Sequence, residues 1–161
     1  MFNLKTEIFL RIVFVFSLVA LISAYFIEHI LGHQPCNLCL IERIPYGLSI
    51  ILISLMLIIK KNENFFILLL ILTFVFSLSI SLYHFGIEQG FFQESTVCGV
   101  KNFSENISKE ELLNRLSQKT ISCKDVTFRI FGLSLTTINV VVSIILIITL
   151  AKIYLKYEKK K

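Results

Sequence analysis

The chain has 161 residues, 55% of them hydrophobic and 17% charged, with a formal net charge of +5 and a mean hydropathy of +0.79. One domain of that length is too apolar to be soluble, and too rich in core-forming residues to be disordered. Its charges fall in short intervals between long uncharged stretches, which excludes a nucleic-acid-binding surface as the source of the basic balance.

Stretches free of Asp, Glu, Lys and Arg cover 12–27, 44–59, 65–87 and 130–151, nearly half the chain. A helix needs about 20 apolar residues to cross the hydrocarbon core, and the two shorter stretches reach that length when Arg11 and Arg43 snorkel at the interfaces. Backbone groups in lipid must be satisfied within each segment, so the spans are helices. The expectation is an all-α membrane protein, a four-transmembrane-helix bundle forming a single membrane domain over 1–161. Its spans lie at about 8–27, 42–59, 65–85 and 130–151.

The first stretch has a basic start, but Ser23-Ala24-Tyr25-Phe26-Ile27 lacks a small-x-small cleavage site, so it reads as a retained span. Between the second and third stretches stand only residues 60–64, enough for a tight helical hairpin. The longer connections, 28–41 and 86–129, then share the opposite side. The fourth stretch carries only scattered Ser, Thr and Asn139 among its apolar residues, without the polar stripe of a soluble core helix.

Basic residues orient the bundle. The side with the termini and the tight hairpin holds nine basic residues against three acidic ones, a net +6. The side with the two long loops holds seven against eight, a net −1. By the positive-inside rule both termini are cytoplasmic and both long loops face out. The basic C-terminal tail then serves topology near anionic headgroups. The Asn102 and Asn106 sequons have meaning only in a eukaryotic secretory pathway, to which nothing else in the sequence points.

All four cysteines fall in the outer loops: Cys36 and Cys39 in the first, Cys98 and Cys123 in the second. An even number on an oxidising face points to disulfides, and a Cys-x-x-Cys pair on one helical turn makes a small ring that opens and closes readily. The chain's only prolines, Pro35 and Pro45, bracket this pair. Pro35 in a first-turn position would put Cys36 at a helix start, where backbone N–H groups stabilise a thiolate. Arg43 lies four residues past Cys39 and would share its face, either as a fixed charge for a thiolate or small acceptor, or as a headgroup anchor. Between Cys98 and Cys123, Ser108-Lys109-Glu110-Glu111 has capping-box form and is followed by Leu112, Leu113 and Leu116, which predicts a short amphipathic helix on the membrane surface. Two dithiols on one membrane face suggest electron relay by thiol–disulfide exchange.

With these features in place, the chain resembles the disulfide bond formation protein B (DsbB) family of bacterial inner-membrane proteins. The resemblance rests on Pro35-Cys36-Asn-Leu-Cys39-Leu-Ile-Glu42-Arg43, on Tyr83-His84-Phe-Gly86-Ile-Glu88-Gln, and on Phe131-Gly132-Leu-Ser134 with Asn139. It implies a dithiol:quinone oxidoreductase whose active loops face the periplasm. A reduced thioredoxin-like, DsbA-like thiol oxidase would attack a Cys98–Cys123 disulfide at Cys98, and Cys123 would exchange with Cys36. Membrane quinone, ubiquinone or menaquinone, would take the electrons beside Cys39. The resemblance makes Arg43 a quinone-site residue, with Glu42 and His84 as further candidates, and implies no metal.

Two alternatives stay open at the level of sequence. A vitamin K epoxide reductase-like quinone reductase also has four spans and two cysteine pairs, but there the quinone-proximal pair lies near the last span. A non-enzymatic membrane protein could bind zinc through His29, His33, Cys36 and Cys39, spaced His-x3-His-x2-Cys-x2-Cys.

Overall fold

Helix α1 (Leu4–His29) runs uninterrupted because no Gly or Pro stands within it; it ends before Gly32, which takes a φ of +71°. A short helix α2 (Asn37–Ile41) follows, then α3 (Ile44–Ile59), α4 (Glu63–Glu88), a two-stranded hairpin of β1 (Arg129–Ile130) and β2 (Leu133–Ser134), and α5 (Leu135–Glu158). The structure is a computed structural model and describes residues 4–59, 62–93, 122–124, 129–130 and 132–158. Cys98 and the amphipathic helix expected near Ser108–Leu116 lie outside the described residues.

Four segments of the described chain are long and apolar enough to cross a membrane: Thr6–His29, Asn37–Ile59, Glu63–Glu88 and Leu135–Lys156. The four long helices alternate in direction, with α1 packed on α3, α3 on α4, and α4 on α5. Leu10, Val13, Ile53, Met56, Ile67, Leu70, Phe74 and Leu150 are fully buried between them, while residues such as Ile12, Ile58, Leu72 and Ile145 face outward. That outward apolar surface is what lipid requires, since hydrocarbon offers no gain for hiding it.

Two boundaries differ from the sequence expectation. The helix carrying Cys39 does not continue smoothly into the second span: Pro45 has no N–H to give Ile41, and the chain turns at Glu42 and Arg43 before α3 begins. The last span begins at Leu135 instead of near 130, because Gly132 takes a φ of +83° and closes the hairpin, pairing Arg129 with Ser134 and Ile130 with Leu133. Ser134 then caps α5, its Oγ accepting from Thr137 N at 3.2 Å.

Helix α4 ends in a Schellman arrangement around Gly90 (φ +79°): Phe91 N–H bonds Gly86 O at 2.8 Å and Gly90 N–H bonds Ile87 O at 3.0 Å. This folds Phe92 back over Gly86, where a Cβ would collide with its ring. At 26 residues α4 is about 39 Å long, more than the roughly 30 Å hydrocarbon core, so the helix extends beyond that core.

Candidate active site

Cys36 stands at the N-cap of α2, with extended backbone (φ −71°, ψ 167°), and its sulfur accepts from Cys39 N at 3.3 Å. The helix thus begins one residue later than Pro35 in a first-turn position would give. One turn on, Cys39 Sγ lies 2.7 Å from Cys36 Sγ. On the other flank, His84 Nε2 from α4 lies 3.7 Å from Cys36 Sγ. The Cys36 thiol is drawn down from an ordinary value of 9.0 to about 4, chiefly by the hydrogen bond from Cys39; burial opposes this and the His84 imidazole adds to it.

Behind the sulfurs is a buried polar network. His84, 2% exposed, donates from Nδ1 to Glu42 Oε1 at 3.0 Å. The other Glu42 oxygen accepts from Asn139 Nδ2 at 3.2 Å. Asn139 also donates to Ser81 Oγ at 2.6 Å and accepts from Tyr46 OH at 2.5 Å. Thr136 donates to Glu88 Oε1 at 2.7 Å, and that oxygen lies 3.9 Å from His84 Nε2. Among the described residues no buried side-chain N or O lacks a partner. A carboxylate taken this far from water is tolerated because both of its oxygens are occupied.

Arg43 takes a different direction from the one its spacing suggested. The turn at 42–43 carries it toward α1, where Nη1 donates to Glu28 Oε2 at 2.5 Å and the guanidinium lies 5.1 Å from the centre of the Tyr25 ring. It still lines the same cavity as Cys39. That cavity, about 290 Å³, is bounded by Cys36, Cys39, Glu42, Arg43, His84, Glu88 and Cys123 at its polar end and by Phe16, Ala20 and Val142 deeper in the bundle. Cys123 is 3% exposed and packs with Cys36, Leu38 and Ile87. One cysteine of the second pair therefore sits against the first.

The structure assembles Cys36, Cys39, Cys123, Glu42, Arg43 and His84 around one space; Cys98 lies outside the described residues. It does not assemble the four-residue zinc set read from the sequence. His29 is exposed and its Nδ1 lies 3.2 Å from Tyr25 O, whereas the ligand atoms gathered within 4.8 Å of one another are those of Cys36, Cys39 and His84. Sequence reasoning gave no role to Tyr46, Ser81 or Thr136, and Glu88 and Asn139 only a place in a motif. The available signal was polarity inside the spans: Ser77, Ser81, His84 and Glu88 recur at helical spacing on α4, as do Thr136, Asn139 and Ser143 on α5.

A reduced pair with one thiol stabilised as thiolate, beside a cavity with a polar end and an apolar body, can exchange disulfides and hand electrons to an apolar acceptor. Comparison with known proteins agrees with the thiol–disulfide part of that chemistry. Over 140 residues the chain is 34% identical to an uncharacterized protein of Rickettsia prowazekii (strain Madrid E), covering 85% of this chain and 81% of the relative. Residues 6–153 match the family described as Disulfide bond formation protein DsbB. The chain, a multi-pass membrane protein by its four helices, belongs to the DsbB family, whose work is disulfide bond formation by thiol oxidation.

Proposed function

We propose that this protein reoxidises a thioredoxin-like dithiol oxidase of the periplasm and passes the electrons to membrane quinone from the bacterial inner membrane. The supporting observation is the cavity: a single space bounded by Cys36, Cys39 and Cys123 and continued by apolar side chains into the bundle. The residues present suit a quinone. Its ring carbonyls match the charged and hydrogen-bonding groups of Arg43 and His84, and its apolar body matches Phe16, Ala20 and Val142. When bound, quinone supplies an acceptor for two electrons and two protons.

In the relay, the partner's dithiol reduces a Cys98–Cys123 disulfide and becomes a disulfide itself. Cys123 then attacks Cys36, breaking the Cys36–Cys39 bond and releasing Cys39 as thiolate; Cys98 closes again on Cys123 and leaves the Cys36–Cys39 dithiol. Two electrons and two protons leave that dithiol as its disulfide re-forms. The lowered Cys36 thiol favours the reduced pair, which makes the Cys36–Cys39 disulfide more oxidising and draws electrons inward from Cys123. Arg43, fixed by Glu28, would orient an acceptor carbonyl, and the His84 imidazole stands beside Cys36, placed to exchange a proton with it.

The test is turnover of the purified chain with a reduced thioredoxin-like dithiol oxidase and either ubiquinone or menaquinone. Quinone-dependent oxidation of the partner is expected, and its loss on replacing any one of Cys36, Cys39, Cys98 or Cys123 by Ala. Full turnover in Cys98→Ala refutes the relay.

A further inference from the structure

We propose that the reduced redox centre is also a zinc site: once the Cys36–Cys39 bond is opened, the two sulfurs and His84 Nε2 take a divalent zinc ion that holds the centre in its dithiol state. Three observations carry this. The first is the donor set, two thiols and an imidazole with their ligand atoms within 4.8 Å of one another, all on the wall of the cavity. Sulfur and imidazole nitrogen are the ligands zinc prefers.

The second is spacing. With Zn–S of about 2.3 Å and Zn–N of about 2.05 Å at tetrahedral angles, a sulfur and a nitrogen on the same ion stand roughly 3.6 Å apart and two sulfurs roughly 3.8 Å apart. Cys36 Sγ and His84 Nε2 are already 3.7 Å apart. The two sulfurs, at 2.7 Å, must open by about an ångström, which a rotation of the Cys39 side chain supplies. The fourth position faces the cavity and is left to solvent.

The third is the support behind the histidine. Zinc-binding imidazoles commonly donate their second N–H to a carboxylate, which fixes the tautomer and aims the ligating nitrogen. His84 Nδ1 donates to Glu42 Oε1, and Glu42 is itself held by Asn139. This leaves Nε2 directed at Cys36 Sγ. Zinc takes thiolate sulfur and neutral imidazole, so its binding displaces protons from the centre. A Cys36–Cys39 disulfide has no thiolate to offer. Binding is therefore confined to the reduced state and opposes reoxidation. The zinc site itself does not depend on the quinone reading.

The test uses the full chain with Cys98→Ser and Cys123→Ser, so that only Cys36 and Cys39 carry thiols, titrated with zinc alone. One ion is expected to bind the reduced protein, and none the oxidised protein. Glu42→Gln should weaken binding by about tenfold or more and His84→Ala by more than about 100-fold, while His29→Ala should leave it unchanged. Because the His84 variant could lose its fold for unrelated reasons, X-ray absorption at the zinc edge of the histidine-intact protein gives an independent readout, with two sulfurs and one imidazole expected. Equal binding by oxidised and reduced protein, a ligand shell without imidazole, or an equal loss in His29→Ala overturns the proposal.

Discussion

At Cys36 one sulfur has three structural partners, the Cys39 thiol, the imidazole of His84 and the N–H of Cys39 that it caps, and all three favour its thiolate. Because the folded value of about 4 lies below the ordinary 9.0, the thiolate's contribution to the reduced fold is complete above pH 9 and fades as pH falls toward 4. Alkylation follows the thiolate, so in the reduced chain the Cys36 rate should stay flat through neutral pH and halve near pH 4. His84→Ala should raise that midpoint; a midpoint near 9 in the unaltered chain would show that these contacts do not act on the thiol. Arg43 makes a second residue-level case. A hydrogen bond from a charged donor is worth about 1.5–3 kcal/mol, or roughly 10- to 100-fold in affinity. If Arg43 orients the acceptor, Arg43→Ala raises the quinone KM by about that factor with little change in kcat, and Glu28→Ala, which only frees the guanidinium, raises it less. An unchanged KM in Arg43→Ala returns the residue to a headgroup anchor.

Asn139 acts at the scale of elements. From α5 it reaches Ser81 on α4, Tyr46 on α3, and Glu42 at the turn between α2 and α3. Asn139→Ala leaves the Tyr46 hydroxyl and one Glu42 oxygen without that partner, and each orphaned buried group costs about 1–3 kcal/mol. Thermal unfolding of Asn139→Ala in detergent should fall by several degrees, while Ser79→Ala, which removes only an exposed hydroxyl bonded to Val75 O, should not move it. An Asn139→Ala midpoint as high as that of Ser79→Ala would mean the network holds nothing together. This network also marks the limit of what the sequence discloses. The four helices were legible because uncharged length is a local property, and the Cys36–Cys39 turn because Pro35 punctuates it. The stripe of Ser77, Ser81 and His84 was equally present, but serine in a span can bond its own helix, as Ser81 Oγ does to Ser77 O. Only the packing of α4 against α5 turns two weak stripes into one site. The direction of Arg43 likewise depends on Glu28, fifteen residues away on another helix, and on the break that Pro45 imposes.

For the whole molecule, the fold puts the ends of α1 and α4 and the starts of α3 and α5 around one cavity, so the thiols described share one face of the bundle. In the sequence, the segments on the side of the termini sum to +6 and the two loops that carry the cysteines to −1. Basic residues near an anionic cytoplasmic leaflet are worth about 1 kcal/mol each, so inverting the bundle would give up several kcal/mol, well beyond thermal energy. The orientation this favours places the cysteine face in the periplasm, the compartment where disulfides persist. It has a direct readout in intact cells with a permeabilised outer membrane, reduced and then treated with a maleimide that cannot cross the inner membrane. Cys98 should be labelled from outside, whereas a cysteine introduced by Lys159→Cys in the basic tail should be labelled only after the inner membrane is opened. The reverse pattern would place the thiols in the cytoplasm, where a dithiol relay to a periplasmic oxidase has no route.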